Sequence, residues 1–116
     1  MDINSKITID VLLDNARVPQ SISWNASDST ADEPQKAKAM MLNFWDGADK
    51  AALRIDLWTN GMMVDEMADF YFQTMIGMAD SFLKSTGQTE LVAEMKAFAQ
   101  HFHKKFQEAE VKAGSK

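Results

Sequence analysis

Two histidines, seventeen carboxylates and no cysteine are the side chains from which this sequence would have to build any chemistry. His101 and His103 stand two residues apart in a segment patterned as helix. That spacing sets them about 200° apart around the axis, so both cannot ligate one metal without a third element. Asp65, Glu66 and Asp69 cluster where a helix begins. Such a cluster could hold a cation, but carboxylates in a first turn also compensate the helix macrodipole, and that is the expectation here. Arg54 and Asp56 fall on the same side of a strand, where they can pair with each other or with a partner. The five glycines are scattered and form no phosphate-binding loop, and the serines lie in no nucleophile-elbow pattern. The absence of cysteine removes disulfides, a thiol nucleophile and cysteine-ligated zinc. The expectation is a chain that is not an enzyme, with no catalytic residue, no metal ligand and no cofactor.

The elements that hold these residues follow from hydrophobic periodicity. Ile7, Ile9, Val11 and Leu13 alternate with Thr8, Asp10 and Leu12 as in a half-buried strand. Asp14, Asn15 and Pro19 mark a loop, and Ile22 and Trp24 alternate again, giving a first hairpin. Residues 27–35 (SDSTADEPQ) read as an acidic, mobile loop. A second hairpin pairs residues 39–45 with 52–58 across a four-residue loop at 47–50. Phe44 then opposes Leu53, Leu42 opposes Ile55, and Met40 opposes Leu57. A slip of one residue would set Asn43 against Leu53 and break that apolar face, so this register is preferred.

From about Met63 the period becomes that of a helix. Val64, Met67, Ala68, Tyr71, Met75, Met78, Ala79 and Phe82 form its stripe, with Gly87 as the stop. Thr89 can cap a second helix carrying Leu91, Met95, Phe98, Phe102 and Phe106. The fold class is therefore α+β: a four-stranded antiparallel sheet made of two hairpins, followed by two C-terminal helices packed on one face. The whole of residues 1–116 reads as one domain, with its core spanning about 5–108 and a frayed tail at 113–116. Ile9, Val11, Trp24, Leu42, Ile55, Met75, Phe98 and Phe102 are the expected core.

An apolar fraction of 46% with seven Phe and three Trp argues against disorder. The formal net charge of −5 disfavours a phosphate backbone, so nucleic acid is not an expected partner. No apolar run approaches the length of a membrane span and no secretory leader is visible, which predicts a cytoplasmic chain without direct membrane insertion.

If the helices cover the Met40, Leu42, Phe44 face, alternation turns Met41, Trp45, Arg54, Asp56 and Trp58 outward, joined by Leu12 of the first hairpin. Trp, Met and Arg are enriched where proteins bind proteins. These five residues are the candidate partner-binding or self-association surface. Nine methionines serve either as adaptable core filler or as a plastic contact surface.

Longer runs carry a family signature: Ala37-Lys38-Ala39-Met40-Met41-Leu42, Trp45-Asp46, Leu53-Arg54-Ile55-Asp56-Leu57-Trp58-Thr59, Met62-Met63-Val64-Asp65-Glu66-Met67 and Met78-Ala79-Asp80-Ser81-Phe82. The chain resembles the gliding-motility protein GldC family of Bacteroidota over about residues 7–106. One departure is Met63, where that family usually has a proline at the helix start. The resemblance implies an accessory component of gliding motility, associated with the membrane lipoprotein GldB, without catalysis or cofactor. It carries over no site residues. The expected function is an adaptor of the gliding machinery acting through protein–protein contact, with GldB or a homo-oligomer as the partners to test. The alternative is a chaperone-like holdase, because the export chaperone SecB shares this order of strands and helices. A third class, an enzyme or small-ligand binder, would need an enclosed pocket with converging polar groups.

Overall fold

A computed structural model of the chain describes residues 3–28, 30, 31 and 33–114. Its contacts divide it into two compact units, one running to Met62 and the other starting at Met63. The first unit holds five strands: β1 (Ile7–Leu13), β2 (Pro19–Ala26), β3 (Gln35–Ala37), β4 (Ala39–Asp46) and β5 (Ala51–Trp58). The second holds α1 (Val64–Thr86) and α2 (Thr89–Gly114).

The first hairpin sets Ile9 against Trp24 and Val11 against Ile22. Asp14 closes it, its Oδ1 accepting the backbone N–H of Ala16 at 2.9 Å and of Val18 at 3.0 Å. That Asx-type turn also carries Arg17 at φ 64°. The second hairpin has the expected register throughout: Ala39 opposite Trp58, Met41 opposite Asp56, Asn43 opposite Arg54 and Trp45 opposite Ala52. Asp46 caps its four-residue loop by accepting from Ala48 at 2.9 Å and Asp49 at 3.2 Å.

The single four-stranded sheet is corrected. The strands form a three-stranded sheet in the order β1-β2-β3 and a separate two-stranded sheet of β4 and β5. Residues 35–46 form nearly one extended run, broken at Lys38. The break follows from what lies beside it. Continuing the β2–β3 ladder past Ile22–Ala37 would set Ser21 against Lys38 and, two pairs further on, Pro19, which has no N–H to give, against Met40. The Pro19 carbonyl is already taken by the Asn60 N–H at 3.0 Å, while Thr59 binds the Lys38 carbonyl through both its N–H (2.8 Å) and its hydroxyl (2.9 Å). The chain at Lys38 is thus held by β5 and its extension. The acidic segment holds turns at residues 27–28 and 30–31, and its last residue, Gln35, opens β3. Ser29 and Asp32, also assigned to that loop, lie outside the described residues.

In the second unit, α1 begins after Met63, whose extended backbone donates its N–H to the Glu66 carboxylate at 3.1 Å. It ends at Gly87, which takes φ 71° and returns its N–H to Leu83 O at 2.8 Å. Thr89 is the first residue of α2 rather than its cap, and the Gln88 carbonyl accepts from Val92. Of the tail expected to fray, residues 113 and 114 are helical, and Ser115 and Lys116 lie outside the described residues. The two helices close on small side chains. Ala68, Ala79, Val92 and Ala99 are buried, with Phe72, Met75, Phe82, Met95, Phe102 and Phe106 half-buried between and beside them. The spacing alternates three and four along each helix, as in a two-helix seam. Lys96 reaches Asp80 at 2.7 Å across the pair.

The expected core is corrected with it. Ile9, Val11, Leu42, Met75 and Phe102 are half-buried, whereas Trp24, Ile55 and Phe98 are exposed. In the first unit Ile22 is the one fully buried large side chain among the described residues. It sits on the central strand between Val11 and Ala37, and so is flanked by strands on both sides.

Candidate interaction face

The β4–β5 hairpin brings all five candidate residues onto one face. Alternation and register place Ala39, Met41, Asn43 and Trp45 of β4 beside Trp58, Asp56, Arg54 and Ala52 of β5. Trp45 is 69% exposed and Trp58 56% exposed, at diagonally opposite corners, each beside an alanine. Between them Arg54 Nη2 donates to Asp56 Oδ2 at 2.6 Å. A charge-assisted bond of this length holds both side chains in one orientation. Its exposure limits its stabilisation to about 0–1 kcal/mol. The other carboxylate oxygen, Asp56 Oδ1, is buried without a hydrogen-bond partner. Met41 is half-buried. Leu12, placed beside them on the assumption of one sheet, belongs to the other sheet.

Exposure is not confined to this face. On the opposite side of the same hairpin Phe44 is 56%, Leu53 57% and Ile55 49% exposed. A hairpin that presents large apolar side chains on both faces has surface suited to a partner.

A second apolar feature is built from residues of the two helical stripes. Between α1 and α2 lies a groove lined by Met75, Met78 and Phe82 of the first helix and Leu91, Met95 and Phe98 of the second, with Glu94 beside them. Thioether and phenyl groups dominate it, so it offers apolar contact and no converging polar groups.

Asp65, Glu66, Asp69 and His103, considered above for chemistry, make contacts within the helical unit. The Glu66 carboxylate accepts the Met63 N–H, and Asp65 Oδ1 accepts the Glu66 N–H at 2.9 Å. Asp69 reaches His103 Nε2 at 3.3 Å, and the His103 ring stacks on Phe72 with centroids 4.4 Å apart. This cross-helix contact was not legible in the sequence, because it joins residues 34 apart through the antiparallel seam. Among the described residues, no group of three or more His, Asp or Glu is placed to hold a metal ion. No helix among them is long and apolar enough to cross a membrane.

No curated protein and no solved structure matches the chain. A family model does match, that of the gliding motility-associated protein GldC-like family, over residues 19–108. The matched span runs from the first residue of β2 through all of β4, β5 and α1 and most of α2, and so includes the whole tryptophan-bearing hairpin. The chain therefore belongs to the GldC-like family of gliding motility-associated proteins.

Proposed function

We propose that this chain serves gliding motility as a non-enzymatic adaptor, binding other protein chains through its β4–β5 hairpin. The observation that carries the reading is the exposure of Trp45 and Trp58 on a face fixed by a strand register and centred on an ion pair. Large rigid aromatics beside arginine are the residue types that dominate binding energy at protein interfaces. The lipoprotein GldB is the unlike partner to test first.

The direct test separates contact from catalysis. A His101→Gln, His103→Gln variant removes the only imidazoles. It should co-purify with GldB as the wild type does and support gliding at the wild-type rate, at a stability cost of about 1 kcal/mol for the lost Asp69 contact. Complete loss of gliding, with normal protein level and intact co-purification, would show that an imidazole is needed for chemistry.

A second reading, a holdase for extended client segments, is supported by the Met- and Phe-lined groove between α1 and α2. Flexible thioether surfaces accommodate varied apolar side chains. The order of strands and helices adds only analogy.

A further inference from the structure

We infer that the occupant of the tryptophan face is a second copy of this chain, stacked face to face about a two-fold axis that crosses the strands at the Leu42–Ile55 pair. This rests on the adaptor reading and names the partner at that face. The order of side chains along the two strands is self-complementary. On this face β4 reads Ala39, Met41, Asn43, Trp45, and β5 reads Ala52, Arg54, Asp56, Trp58. Each strand runs from alanine through a long side chain and a short polar one to tryptophan.

A two-fold axis lying between the stacked faces and perpendicular to the strands reverses that order on the second copy. Trp45 then meets the partner's Ala39, and Trp58 meets the partner's Ala52. Met41 meets the partner's Asn43, and Arg54 meets the partner's Asp56, twice over by symmetry. Stacked sheets lie about 10 Å apart, a gap that a large side chain fills when it faces a small one. The charges are complementary under the same operation. The Asp56 side chain, 29% exposed, faces the partner's Arg54 guanidinium, which is 59% exposed. The other in-plane two-fold, along the strands, also sets Trp on Ala but brings Arg54 to the partner's Asn43 and leaves Asp56 facing the partner's Met41. Charge therefore selects the first. From their exposure, the two indoles contribute on the order of 250 Å² per copy, a substantial share of the about 800 Å² that each side of a standard interface buries. On the opposite face Phe44, Leu53 and Ile55 are exposed and are left for unlike partners.

The test is a charge swap split between two chains, read as mass by light scattering and sedimentation of the full-length protein. Wild type should have twice the mass of one chain. Arg54→Glu and Asp56→Lys each put like charges at both symmetry-related contacts, and each alone should weaken association by about a hundredfold or more. An equimolar mixture of the two variants restores opposite charges at both contacts and should recover the dimer as a heterodimer. Circular dichroism and tryptophan fluorescence of each variant confirm that it remains folded. A wild type that is monomeric at about 100 μM overturns the inference. So do variants that stay dimeric alone, or a mixture of folded variants that stays monomeric. The adaptor reading is judged separately, by co-purification with GldB: a monomeric wild type that still binds GldB defeats the two-fold and leaves that reading standing.

Discussion

Replacing both hairpin tryptophans, Trp45→Ser with Trp58→Ser, should leave a folded chain that no longer assembles. Both side chains are more than half exposed, so their removal takes little from the fold of the single chain. Exposed positions away from caps, turns and buried polar groups usually change stability by less than about 0.5 kcal/mol each. At an interface the same two side chains would be the largest contributors, and truncating an aromatic hot spot costs about 2–4 kcal/mol of binding. For the pair, that is a loss of association of a thousandfold or more on the conversion of about 1.4 kcal/mol per tenfold. The expected readings are unchanged helical circular dichroism, a cooperative unfolding transition and the mass of a single chain. A folded variant with wild-type mass and wild-type partners would place the contact surface elsewhere. A variant that unfolds would mean the tryptophans are core.

The second large effect is on stability. Ile22→Ala should destabilise the first unit by about 3 kcal/mol, within the range for buried Ile or Leu truncations. Ile22 is 1% exposed, on the strand that pairs on both sides. Ile55→Ala should cost about 1 kcal/mol or less, because half of that side chain is already open to water. The two isoleucines have the same chemistry and both lie in strands, so the contrast isolates burial. All three tryptophans, Trp24, Trp45 and Trp58, precede Met62. Denaturant unfolding followed by tryptophan fluorescence therefore reports the strand-bearing unit, while ellipticity at 222 nm reports α1 and α2. Equal losses at Ile22 and Ile55, or a larger one at Ile55, would contradict the burial described.

What could be read in advance depended on how local its cause was. The register of β4 and β5 was legible because two alternating runs flank a four-residue loop and only one pairing keeps Met40, Leu42, Phe44, Leu53, Ile55 and Leu57 together. The end of α1 was legible because Gly87 takes a left-handed conformation that other residues disfavour. The division into two sheets was not. It turns on hydrogen bonds between residues far apart in sequence: Asn60 on the Pro19 carbonyl and Thr59 on that of Lys38. β3 was missed for a related reason, since three residues reading Gln-Lys-Ala have no strand pattern of their own.

On α1 the buried Ala68 and Ala79 were in the expected stripe, but on α2 the seam was misjudged by size. Large apolar residues drew attention to Leu91 and Phe98, both exposed, whereas the side chains shut away are Val92 and Ala99, one position further along the helix. Where two helices approach closely, small residues mark the contact and the large ones flank it. The candidate face itself was legible as far as alternation reaches: its five residues lie together as expected. The unpartnered Asp56 oxygen and the exposure of the opposite face required the structure.

The central claim is that the tryptophan face of the β4–β5 hairpin is where this protein touches another chain. Site-specific photo-crosslinking in gliding cells tests it most directly, with a benzophenone amino acid placed in turn at Trp45, at Trp58 and at Phe98 in the helical groove. The account predicts covalent adducts from positions 45 and 58 with the mass of two copies of this chain, at several times the yield from position 98. Absence of adducts from both hairpin positions, with efficient capture of varied proteins from position 98, would contradict it and favour the groove as the working surface.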